Sequence, residues 1–111
     1  MELRHTPRLP VDYHVWFTTP SQTVQKGTMY DLSSSGCAVA TLGSVAPGTD
    51  LHLTILAPGY RLPITIEAAS VRWSVLGEFG VEFTRLGAEE RSQIARLLDH
   101  TTGRQILTLS S

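Results

Sequence analysis

Two short constellations in this sequence have residue types and spacing suited to gripping phosphate and a purine edge. The first is Arg4-x-x-x-Arg8. Arginine dominates the basic residues, taking eight of nine places, and a guanidinium offers a planar fork of donors that fits phosphate oxygens and the N7/O6 edge of guanine. In an extended segment, side-chain direction repeats every two residues, so positions four apart point to one side and can converge on one ligand. The second is Asp31-x-Ser33-x-x-Gly36. A carboxylate can accept from the N1–H and N2–H₂ groups of guanine, and a serine hydroxyl can bond a base or a backbone group. Glycine permits a turn with positive φ and a close approach of backbone to ligand. Each constellation also has a plainer reading. The arginines would suit a solvated basic terminus, and Asp31 and Ser33 would suit a turn that satisfies its own backbone.

Other chemistry finds less support. His5, His14, His52 and His100 lack the spacing and carboxylate company of a metal site. Cys37 is the single cysteine, which excludes an internal disulfide, argues against a cysteine zinc site and fits a reducing cytoplasm. Its expected role is that of a small buried hydrophobe. Ser33 to Ser35 lack a G-x-S-x-G elbow and a nearby base. No phosphate-binding P-loop, dinucleotide fingerprint or paired-carboxylate pattern occurs. Neither an enzyme nor a cofactor is expected. The net charge of −1 lacks the basic surplus that binding a nucleic-acid polymer requires, so a phosphate ligand should be small. No run of about 18 apolar residues and no apolar signal core occurs, which favours a cytoplasmic protein.

These residues need elements to position them. A chain of 111 residues suits one domain. Pro7 and Pro10 disfavour a helix, so residues 1–10 read as an extended arm. From Val11 the pattern turns to alternation: Tyr13, Val15 and Phe17, then residues 23–31 with Gly27 as a candidate bulge, then 37–42. Leu51, Leu53 and Ile55 alternate next, followed by a line from Leu62 to Trp73 and a last strand from Phe79 to Phe83. Six short strands with turn signals between them predict an all-β-dominated antiparallel barrel or sandwich over residues 11–111. Residues 88–99 predict a helix, with Glu89 and Glu90 in its first turn and Gly103 as its stop. Ile94, Leu97 and Leu98 mark its apolar face, with Arg91 as an aliphatic neighbour.

The two constellations, in this order and about one hairpin apart, resemble the PilZ family pattern R-x-x-x-R followed by [D/N]-x-S-x-x-G. Arg4-His-Thr-Pro-Arg8 and Asp31-Leu-Ser33-Ser-Ser-Gly36 match it at every defining position. Ala69-Ser-Val-Arg-Trp73, Gly80-Val-Glu-Phe83 and the helix with Arg91 and Leu97-Leu98 extend the resemblance over essentially the whole chain. The resemblance implies a six-stranded, split-barrel PilZ-like fold with one C-terminal helix, and cyclic di-GMP as ligand. It implies that Arg4 and Arg8 wrap phosphates and guanine edges while Asp31, Ser33 and Gly36 grip a guanine. It also implies that Trp73 lies against a base, the plainer role being wall packing, which is the role expected of Trp16. Leu3 stands where relatives that bind a stacked ligand pair tend to be basic, which favours one ligand per protomer. The implied output is an arm that orders on binding and a downstream protein, or a second copy of the chain, that reads it. Two other classes are a ligand-independent adaptor of this fold, as in pilus or flagellar assembly, and an unrelated barrel that binds single-stranded nucleic acid.

Overall fold

Period-two alternation puts apolar side chains on one face of each strand, and six such faces bury themselves by closing on one another. The computed structural model describes the backbone of residues 8–110 and the side chains of residues 8–99. Its strands are β1 (Leu9–Thr18), β2 (Val24–Leu32), β3 (Gly36–Ala40), β4 (Asp50–Leu56), β5 (Ile64–Val75) and β6 (Glu78–Arg85). All pair antiparallel and close into a barrel in the order β1-β2-β3-β6-β5-β4. Inside, Phe17 and Phe79 meet edge to face with centroids 5.1 Å apart, a geometry worth about 0.5–1.5 kcal/mol beyond the area it buries. The helix α1 (Ala88–Ser110) packs on β1 and β5, and its Ile94 and Leu97 complete the core.

Four local expectations need correction. The barrel starts before Val11, because Leu9 and Pro10 already pair with Leu32 and Asp31. Pro10 is tolerated there because it is the second residue of a strand and borders a register shift. Gly27 is not a bulge: it pairs in register with Val15. A Cβ on it would stand 2.6 Å from Val39 Cγ1 and 2.8 Å from the Ala40 carbonyl oxygen, so close approach is what requires glycine. The helix does not stop at Gly103 but runs to Ser110. Glycine ends a helix when it takes a left-handed cap, and inside a helix it costs only about 1 kcal/mol. Arg91 is exposed and does not extend the apolar face.

The true bulges matter more. Register shifts fall between Pro10 and Tyr13 in β1, Met29 and Asp31 in β2, and Val71 and Trp73 in β5. A bulge re-aims the side chains beside it. Here Met29 and Val71 point into the core, while the pairs Tyr30–Asp31 and Arg72–Trp73 stay at the surface.

Candidate functional site

The Ser33–Gly36 turn joins β2 to β3 and organises one end of the barrel. Its Ser33 backbone N–H donates to the Gly36 carbonyl at 2.9 Å. The Ser33 hydroxyl oxygen accepts from the backbone N–H of Ser35 at 3.2 Å and of Gly36 at 3.1 Å. Ser33 is 1 % exposed. Its hydroxyl therefore builds the turn, and among the described residues it does not face the cavity beside it. Across the ladder, the Phe83 N–H donates to the Ser35 carbonyl at 2.8 Å and fixes the turn against β6.

Gly36 does not take the left-handed φ that a turn glycine would need; Gly48, Gly59 and Gly77 do. Its requirement is spatial. A Cβ at Gly36 would lie 2.2 Å from the Val81 carbonyl oxygen of β6. Gly80, on the neighbouring strand, answers a similar need. It pairs with Trp73, and a Cβ on it would lie 2.1 Å from the indole Nε1. The Trp73 ring therefore lies across β6 because position 80 has no side chain, and it stays 40 % exposed.

Arg8 and Asp31 form an ion pair at 3.2 Å, with side chains 34 % and 28 % exposed. The strand pairing explains it: Pro10 stands opposite Asp31, which brings the start of β1 over the end of β2. Arg72 and Glu82 form a second ion pair on β5 and β6. The Tyr30 hydroxyl donates to the Glu78 carboxylate and so crosses the outer side of β3. Ala38 has the outward register there yet is only 3 % exposed. Burial and the Glu78 carboxylate together push the Tyr30 hydroxyl up to about 12.

An open cavity of about 220 Å³ lies on this face, lined by Arg8, Ser35, Gly36, Arg72, Trp73, Gly80, Val81 and Glu82. Of the six residues singled out in the sequence, Arg8, Gly36 and Trp73 are on its wall. Asp31 sits behind Arg8 as its counter-charge, and Ser33 lies beneath as the organiser of the turn. Arg4 lies outside the described residues, as does Leu3. Sequence reasoning missed Arg72 and Glu82. Both fall in the stretches Ala69–Trp73 and Gly80–Phe83, but only the pairing register brings them to the cavity. A guanidinium pair, an exposed indole face and a carboxylate are what a ligand with phosphates and a planar base would use. Trp16 is half-buried on the outer side of β1, away from this cavity. Among the described residues, no three His, Cys, Asp or Glu side chains gather to hold a metal, and no helix is long and apolar enough to cross a membrane.

The PilZ domain family model matches residues 2–100. No curated protein matches. Among solved structures, the PilZ domain of YcgR from Escherichia coli with cyclic di-GMP superposes with a TM-score of 0.78 at 11 % identity, covering 99 % of each chain. The Bacillus subtilis inhibitor of motility gives 0.73 at 20 % identity and 96 % of this chain. The present chain spans about half of that protein, 53 % of its length. The PilZ domain of a cellulose synthase from a cellulose-synthesising bacterium gives 0.68 at 17 % identity, covering 86 % of this chain and 98 % of that one. These likenesses establish the six-stranded barrel with its C-terminal helix.

Proposed function

Because the chain belongs to the PilZ domain family, we propose that it is a cyclic di-GMP receptor and that the cavity of Arg8, Gly36 and Trp73 takes the ligand. The observation that carries this reading is the meeting of Arg8, from the first motif, and Gly36, from the second, on one wall beside an exposed indole. The ligand bound in the YcgR structure, cyclic di-GMP, supports the choice of nucleotide.

In this reading Arg8 exchanges Asp31 for a ligand phosphate or the N7/O6 edge of a guanine. Asp31, released, accepts from a guanine donor, and Trp73 stacks on a base for about 1–3 kcal/mol. Arg4 joins Arg8 from the N-terminal arm. Ordering an arm costs about 1–2 kcal/mol per residue, and hydrogen bonds to charged groups return about 1.5–3 kcal/mol each. These terms nearly offset, so a Kd of about 0.1–10 μM is expected, weakening with salt because arginines meet phosphates. The fixed arm and the ligand together form the surface that a downstream protein reads, an order change of a familiar switching class.

Calorimetric titration of cyclic di-GMP into the wild type, Arg8→Ala and Asp31→Ala tests the reading. Binding in that range that both substitutions abolish supports it. Absence of heat in the wild type would leave the fold standing and turn the function to a ligand-independent adaptor.

A further inference from the structure

Two arginines line the cavity, and each is already paired with a carboxylate: Arg8 with Asp31, Arg72 with Glu82. Only the first pair belongs to the spaced motifs. The second is placed by the ladder. Glu82 stands opposite Gly36 across β3 and β6, and Arg72 precedes Trp73 at the β5 bulge. Of the two carboxylates, Glu82 is on the cavity wall and Asp31 is not. Gly36 lets β3 lie close against β6 at this point: a Cβ on it would stand 2.2 Å from the Val81 carbonyl oxygen and 3.4 Å from the Glu82 Cα. The Arg72 and Glu82 side chains are 58 % and 51 % exposed. An ion pair so open to solvent contributes little to folding and opens easily.

We propose that Glu82 is a guanine-selecting residue of this cavity, and that Arg72 leaves Glu82 for a ligand phosphate on binding. The proposal rests on the cyclic di-GMP reading above. Guanine presents adjacent N1–H and N2–H₂ donors, which the two oxygens of a carboxylate can accept together. Adenine presents a lone pair at N1, which would face the carboxylate unpaired. A base that covers Glu82 without those donors would take water from the carboxylate and return no partner, so the site should disfavour it. Cyclic di-GMP carries two guanines and two phosphates, and two arginine–carboxylate pairs can exchange partners with it without stranding a charge.

The test titrates cyclic di-GMP and cyclic di-AMP into the full chain as wild type, Glu82→Gln, Arg72→Ala and Arg8→Ala. Thermal midpoints confirm folding, which these exposed positions should leave nearly unchanged. The wild type should prefer cyclic di-GMP. Glu82→Gln should weaken cyclic di-GMP at least about tenfold and narrow the preference by a similar factor, about 1.4 kcal/mol. Arg72→Ala should weaken binding with a shallower salt dependence. Tighter binding of both ligands to Glu82→Gln would mean that Glu82 only repels anions, and would overturn the proposal. So would an unchanged preference in a protein whose binding Arg8→Ala still abolishes. A wild type that binds neither ligand would instead bring down the receptor reading, and this proposal with it.

Discussion

Arg8 and Asp31 separate function from stability at the level of single residues. Their pair is about a third exposed, and such pairs contribute about 0–1 kcal/mol. Arg8→Ala should therefore abolish ligand binding while changing the unfolding free energy by no more than about 1 kcal/mol, as a urea titration would read. Gly80→Ala should behave differently. Its new methyl group would displace the Trp73 indole rather than backbone, so the fold should survive. The tryptophan emission should shift, and affinity should fall by the stacking share, about 1–3 kcal/mol. Arginine and tryptophan were legible in the sequence because their chemistry is carried by type. The reason for Gly36 was legible only in part: positive φ and close approach to a ligand were the expectations, whereas Gly36 has no positive φ and a Cβ on it would meet the Val81 carbonyl. Arg72 and Glu82 were silent for a related cause. Their place on the cavity comes from the strand register: Glu82 stands opposite Gly36, and Arg72 falls in the register shift beside the Trp73–Gly80 pair. A single strand does not announce its partner.

Strands and turns put these groups within reach of one another. Ser33 satisfies two N–H groups of its own turn. Ser33→Ala would leave the buried Gly36 N–H and the part-buried Ser35 N–H without that acceptor, at a cost of about 1–3 kcal/mol. The variant should unfold at lower denaturant and bind more weakly, whereas Ser34→Ala, on an exposed residue of the same turn, should do neither. Alternation located six strands to within a few residues, since the core face must be apolar throughout. It could not locate the bulges. A bulge at Met29/Asp31 or Val71/Trp73 leaves two surface residues in succession, a pattern that also reads as a strand end. Gly27 drew the bulge assignment because glycine in a strand serves both kinking and close approach, and which applies depends on Val39 and Ala40 across the barrel.

Closure of the barrel makes its interior a single apolar environment. Cys37 is 1 % exposed there. Burial pushes its thiol from 9.0 up to about 12, with Arg8 acting weakly the other way. The folded chain therefore keeps the thiol protonated where the unfolded chain ionises it. That contribution to stability is fully present below about pH 9 and is lost as pH rises toward about 12. Between about pH 8 and 10.5 the urea midpoint of the wild type should fall more steeply than that of Cys37→Ala. In native buffer Cys37 should react with thiol reagents only at the rate of opening. The barrel as a whole was legible in six regular strands and their turn signals. Its closure order was not, because the β3-to-β4 connection pairs neither strand with the other and joins β4 to β1 instead.

Cyclic di-GMP is expected to lie between Arg8, Gly36 and Trp73. The protein has two tryptophans, Trp73 on this cavity and Trp16 elsewhere on the barrel wall, so it reports on its own site. A ¹H–¹⁵N spectrum recorded through a cyclic di-GMP titration should move the Trp73 indole and the Ser35 and Gly36 amides while leaving the Trp16 indole in place. Saturating ligand that moves none of them, or that moves Trp16 instead, would contradict the account.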